Sequence, residues 1–330
     1  MTTGSAAMAP GARGPHSRLA LVGIGALLLA LLIAPAAVVL LTRTGGGAVE
    51  EETYQVGQLP ADVAVAGSTV WVASGRDDRI VALDADALKD RPVVRSAGSS
   101  PLRVAAASGS VWTANAADDS VTRLNPLLTG DAGRRIPIGA DAVDVAVSGD
   151  AAWVTNGSRG TVTRIDSVSN EVLGPPVRTG RFPTAIAVGS NLVWVVNSGD
   201  GTVTRVDPRE NLVVGRPLPV GRDPQDVAVG LGSVWVANRG DGTVTRLSAR
   251  TGRAQGAPIR VGGAPAALAV TRDAVLVLDA RSGSVVRIDP RTGRVTRPFE
   301  LGGSPGSIAV GAGAAWVVDA RAGTVTRIAG

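Results

Sequence analysis

Three aspartates, Asp62, Asp144 and Asp226, and one arginine, Arg103, stand at equivalent points of a recurring sequence unit and carry the chemistry this chain can offer. Carboxylates grouped around a common point bind a cation or a polar ligand, and carboxylates with split pKa values can exchange protons with a substrate. Arg181, Phe182 and Arg222 lie beside the same points. The rest of the catalytic vocabulary is missing. The 330 residues contain no cysteine, which excludes thiolate catalysis, disulfides and zinc–sulfur sites. The single histidine, His16, precedes a long apolar stretch and stands far from the repeats. There is no Ser–His–Asp set, no His/Cys metal cluster and no phosphate loop of the form GxxxxGKS/T. The sequence therefore offers no catalytic residue, metal or cofactor site, and a carboxylate-based lyase or hydrolase is the alternative to binding.

Charge gives little further direction. The net charge is +5, with acidic residues scattered among the basic ones, so no nucleic-acid footprint is expected. Lys89 is the only lysine among 33 basic residues, and the heavy Ala, Gly and Val usage points to a GC-rich bacterial genome.

The N-terminal part has its own composition. Leu19 to Leu41, "LALVGIGALLLALLIAPAAVVLL", carries no charge and is long enough to cross a bilayer as a helix. Arg13 and Arg18 precede it, whereas Arg43 is soon followed by Glu50, Glu51 and Glu52. The positive-inside tendency then places residues 1–18 in the cytoplasm and everything beyond Thr42 outside. Cleavage of a signal peptide near Ala36, at Ala34-Pro35-Ala36, is the alternative, and it exports the same residues. Residues 42–50, "TRTGGGAVE", read as a flexible tether.

Residues 51–330 are repetitive. Tryptophans stand at 71, 112, 153, 194 and 235, position 276 is Leu, and Trp returns at 316. The unit "VGRDPQDVAVGLGSVWVANRGDGTVTRL" (220–247) matches "LGGSPGSIAVGAGAAWVVDARAGTVTRI" (301–328) throughout. A period near 40 with several short strands per unit marks a propeller. Strand a is "DVAV", b is "VWVAN", c is "TVTRL", and d is a looser run such as "RVTRPFEL". The last unit stops after its strand c, while residues 51–57, "EETYQVG", align with a d strand. The expected fold is an all-β, seven-bladed propeller of four-stranded antiparallel blades. One N-terminal transmembrane helix precedes it, and residues 51–57 complete its last blade.

The motif "G…P…VAV…VWVAN…DGTVTRID" resembles the YVTN-type repeat of bacterial propellers, akin to NHL-repeat and virginiamycin-lyase-like propellers. The resemblance covers residues 51–330. It implies ligand or partner binding or envelope sensing, and occasionally lyase chemistry, whose histidine has no counterpart in this chain's repeats.

Repetition also assigns bland roles. Arg239-Gly240-Asp241 resembles an adhesion tripeptide, but sister units carry "NSGDGT" and "DARSGS" there, so it reads as a hairpin turn. The tryptophans read as blade-to-blade packing. The "TVTR" arginines read as stems covering apolar surface, with heads paired to carboxylates such as Asp166, Asp207 or Asp289. Function is expected where the units differ. Two residues after the usual proline they read Asp62, Arg103, Asp144, Ala185, Asp226, Ala267 and Ser307. The d–a and b–c loops share one face in an antiparallel blade, so Asp62, Arg103, Asp144, Arg181, Phe182, Arg222 and Asp226 form the candidate binding site at the channel mouth. The expected occupant is a protein or small polar ligand of the cell envelope, and a scaffold using the propeller rim is a further alternative. The orientation is testable: a cysteine at Gly46 should react with an impermeant thiol reagent in intact cells and one at Gly4 should not, and the reverse pattern would contradict it.

Overall fold

Val, Thr, Ile and Trp crowd the repeats between Gly-, Asn- and Asp-rich turns, and β-branched and aromatic side chains suit a pleated, buried surface. In the computed structural model of the protein, which describes residues 38–329 apart from 45–46, 89, 108, 128–132 and 140, the regular elements are strands. They form seven antiparallel sheets. The innermost a strands are Pro60–Ala66, Pro101–Ala107, Ala142–Ser148, Pro183–Gly189, Pro224–Gly230, Pro265–Val270 and Pro305–Gly311. Each a strand packs against those of both neighbouring blades, which closes a ring around a central channel.

Packing between blades explains the tryptophans. Trp112 of blade 2 lies with Val145, Val154 and Ile165 of blade 3. Trp194 packs in the same way on Val227, Val234 and Leu247 of the next blade. Trp112, Trp194, Trp235 and Trp316 are fully buried. Truncating such a side chain to Ala would cost about 3–5 kcal/mol. The arginines across from the indoles meet the expectation in part: Arg327, opposite Trp316, pairs with Glu52 at 3.5 Å, whereas three others lie over their rings. Arg123, Arg164 and Arg246 lie over Trp112, Trp153 and Trp235 at 5.7, 5.6 and 4.8 Å from the ring centroids. Asp166, Asp207 and Asp289 are not their partners. Those carboxylates accept backbone N–H bonds in their own turns, from Val168, Arg209 and Arg291 for example, because an aspartate at a turn start reaches its own chain first.

Strand b ends in an asparagine that ties b to c. Asn197 donates to Thr202 and Thr204, and Asn238 to Thr243 and Thr245, all beneath the surface. The glycine that opens the blade 5 unit has a steric cause. A Cβ at Gly221 would lie 2.6 Å from Cγ of Asn238.

The ring closes through both ends of the described chain. Strand Gly47–Gln55 pairs with Thr324–Ala329, from Glu50 opposite Ala329 to Gln55 opposite Thr324. The expected closure is therefore present, although the strand begins at Gly47. A further strand, Val38–Thr44, pairs with Gly47–Thr53 and extends this sheet to five strands. Residues 42–50, expected as a tether, thus lie mostly in this hairpin. Val38–Leu41, the end of the expected span, are strand, and residues 1–37 lie outside the described residues. Among the described residues no helix is long and apolar enough to cross a membrane.

Tyr54 and Val56 are buried against Trp316, Val318 and Val325. Burying each side chain contributes about 1.5–3 kcal/mol. Deleting Glu51–Val56 should therefore lower the melting temperature by on the order of 10 °C and expose an edge that promotes association. Deleting Thr44–Val49, which meets only the outer strand, should do neither. Equal melting curves for the two deletions would contradict the closure.

Candidate functional site

Strand a has a partner on one edge only. Its other edge faces the channel and the next blade, so its N–H groups need acceptors that the sheet does not supply. A β-bulge interrupts the register at the start of each a strand, as between Pro60 and Asp62 or Pro224 and Asp226, and re-aims the side chain that follows.

The aspartates supply the acceptors. Asp62 accepts the N–H of Val104 in the next blade at 2.8 Å. Asp144 accepts that of Ile186 at 2.9 Å, and Asp226 that of Leu268 at 2.6 Å. Asp144 and Asp226 also accept from Val145 and Val227, their own next residues, both at 2.8 Å, and Asp62 accepts from Val63. Carboxylates in blades 1, 3 and 5 thereby serve equivalent N–H groups in blades 1 to 6. In the odd seventh blade Ser307 donates its hydroxyl to Asp62. The variation expected to mark function is thus first a structural device. These residues sit on the innermost strands inside the ring and are not exposed loop charges.

Arg103 is the exception among the even blades. Its Nε lies 3.9 Å from Asp144, at the outer limit of an ion pair, and about a third of its side chain reaches water while Asp144 is nearly enclosed. Burial opposes its charge, yet Asp62, Asp144 and Asp226 together raise its pKa. One guanidinium cannot balance three carboxylates. Burial raises the pKa of Asp62, partly offset by Arg103. Burial, opposed by Arg103 and reinforced by Asp62, brings Asp144 to about 6. Asp226 rises to about 7 through burial, opposed by the Leu268 N–H and reinforced by Asp144.

The other expected site residues lie apart from this ring, where the d–a loops meet the b–c turns. Arg181 donates its backbone N–H and Nε to Asp200, both at 2.7 Å. Arg222 repeats the arrangement on Asp241 at 2.7 and 2.6 Å. Arg239 approaches Asp223 at 3.6 Å. Both charges of Arg239-Gly240-Asp241 are therefore engaged in the loops, as a turn requires. Phe182 is 61% exposed, and Leu59, at the equivalent place before a proline, is 48% exposed. Both hold positive φ, 51° in each case, an uncommon conformation for large side chains. Leu59 escaped the sequence reading, although its place before Pro60, matching that of Phe182 before Pro183, was a usable signal. Among the described residues no cluster of His, Cys, Asp and Glu is arranged to hold a metal ion.

No protein-family model matches the chain, and no curated protein matches it. Solved structures do. Virginiamycin B lyase from Staphylococcus aureus superimposes with a TM-score of 0.75 at 11% identity, over 85% of this chain and 99% of that one. Hydrazine synthase of Kuenenia stuttgartiensis gives 0.73 at 15% identity, over 82% and 96%. The WD40 propeller domain of Doa1 gives 0.68 at 13% identity, over 89% and 97%. The chain therefore shares its fold with the virginiamycin-lyase-like propellers, and with propellers of other kinds.

The raised carboxyls carry a stability signature. A carboxyl whose folded pKa exceeds its unfolded value of roughly 3.9 binds its proton more tightly in the folded state. Its stabilising effect is complete below the unfolded value and is lost as pH rises through the folded one. With Asp144 at about 6 and Asp226 at about 7, the contribution of these two groups should fall between pH 4 and 8. Denaturant melts should show this fall, and Asp144→Asn with Asp226→Asn should flatten it. An unchanged slope in the double variant would contradict the assignment.

Proposed function

We propose that this protein is a membrane-anchored, extracytoplasmic propeller that binds a ligand or protein partner through its channel-mouth face. The channel would accept a positively charged group of that partner. The observation that carries this reading is the convergence of Asp62, Asp144 and Asp226 on a channel where Arg103 is the one opposing charge among them. A bound cation would relieve the mutual repulsion that grows as Asp144 and Asp226 ionise. The exposed Phe182 and Leu59 would give the partner an apolar foothold beside the channel. Anchoring and export rest on the 19–41 stretch and its flanking arginines.

The alternative, a carboxylate-based lyase or hydrolase, draws on the near-neutral pKa values of Asp144 and Asp226. Both oxygens of each already accept backbone N–H bonds, which favours holding charge over passing protons. A catalytically inactive histidine-to-alanine variant of the virginiamycin lyase is among the similar structures. The one histidine here, His16, lies outside the repeats. The reading is therefore a binding module and not an enzyme.

Spermidine serves as a probe cation for the channel. Calorimetric titration should show binding at pH 8 that weakens by tenfold or more at pH 5, where Asp144 and Asp226 are protonated. Asp144→Ala with Asp226→Ala should abolish it at pH 8. Binding that ignores both pH and the double variant would overturn the channel as the site.

A further inference from the structure

Six of the seven blades place a tryptophan at the third residue of strand b, and blade 6 has Leu276. The consequence lies between blades 6 and 7. The second residue of strand b is buried in blades 1 to 6, as Val70, Val111, Ala152, Val193, Val234 and Val275. Its blade 7 counterpart, Ala315, is only partly buried. The fifth residue of strand c is likewise buried as Leu83, Leu124, Ile165, Val206, Leu247 and Ile288. The blade 7 counterpart, Ile328, is again only partly buried. Both face the interface that an indole at position 276 would fill.

What stands there is a cavity of about 940 Å³. Leu276, Val285 and Phe299 of blade 6 line one side, and Ile308, Val310 and Ile328 of blade 7 the other. This is within the size range of small-molecule sites, roughly 300–1,000 Å³. The a–b turns of blades 5, 6 and 7 border it through Leu231, Thr271 and Gly313, so it opens on the face opposite the channel mouth. Arg287 is the cross-strand partner of Leu276, the place from which Arg246 covers Trp235. Arg287 has no ring beneath it and pairs with Asp273 at 2.5 Å. Arg272 and Arg297 border the same cavity, giving three guanidiniums against one carboxylate.

Residues 1–37 contain no Trp, Tyr or Phe, and Phe299 already forms part of the wall. We infer that the cavity between blades 6 and 7 is a second binding site, for a small molecule carrying a flat aromatic ring and an acidic group. The ring would take the place that an indole holds in the sister interfaces, against Phe299 and within reach of Arg287. The acidic group would meet Arg272, Arg287 and Arg297 at the rim. This site shares no residue with the channel and stands or falls separately from it.

Indole-3-acetate is the test probe, and tryptamine, with the same ring and the opposite charge, its control. Calorimetry on the full-length protein should show saturable binding of one indole-3-acetate per chain, at least tenfold tighter than tryptamine. Leu276→Trp should raise the melting temperature and abolish this binding. Ala315→Leu, which sets a bulkier side chain against the place the ring would occupy, is the second variant should the first fail to fold. Arg272→Ala with Arg297→Ala should reduce the preference for the acid while leaving the melting curve unchanged. Absence of saturable indole-3-acetate binding would overturn the inference, as would binding that persists unchanged in a folded filled-cavity variant.

Discussion

A carboxylate oxygen accepting the free backbone N–H of the neighbouring blade's innermost strand is the interaction on which the centre of this propeller rests. Ring closure leaves every a strand with one unpaired edge, and an unpaired N–H away from bulk water costs about as much as a lost hydrogen bond. Each aspartate in blades 1, 3 and 5 accepts two such groups, one on its own strand and one on the next. The solution is economical in residues and unfavourable in charge. It gathers three carboxylates inside a narrow ring with one arginine between them, and burial, reinforced by the neighbouring carboxylates, raises the pKa values of Asp144 and Asp226. The proposed affinity for a cationic group follows from this structural arrangement.

The blade interfaces show what happens when a repeated contact is omitted. Where Trp is present, its ring fills the gap between blades, and in blades 2, 3 and 5 it carries an arginine above it. Where Leu276 replaces it, the wall residues Ala315 and Ile328 lose their cover, and Arg287 pairs with Asp273. Repetition makes each blade a control for the others, so both departures, the alternating aspartates and the missing tryptophan, can be judged against intact sisters.

The architecture was legible in the sequence because a propeller repeats its packing problem. The 41-residue tryptophan spacing, the "TVTR" strand and the surplus strand at residues 51–57 were enough to place the blades and their closure. The site was legible as a set of residues but not as a set of roles. Asp62, Asp144 and Asp226 were identified by their variation, whereas their duty toward Val104, Ile186 and Leu268 depends on a blade-to-blade contact that no local pattern displays. Arg181 and Arg222 looked free in sequence because their partners, Asp200 and Asp241, come from turns 19 residues away. Leu276 stands where the sister units place a packing tryptophan, and the shorter side chain leaves that packing incomplete, with Ala315 and Ile328 only partly buried.

Carboxyl-carbon NMR titration of the three channel aspartates tests the central claim most directly, since it reads each charge at its own atom. Asp144 should titrate near 6 and Asp226 near 7, with Asp62 also above the ordinary aspartate range. Replacing Arg103 with Ala should move Asp144 higher still, because the guanidinium opposes its rise. Midpoints near the unperturbed value of roughly 3.9 for all three, unmoved by the loss of Arg103, would show that the channel carboxylates are neither desolvated nor coupled to one another, and would contradict the account.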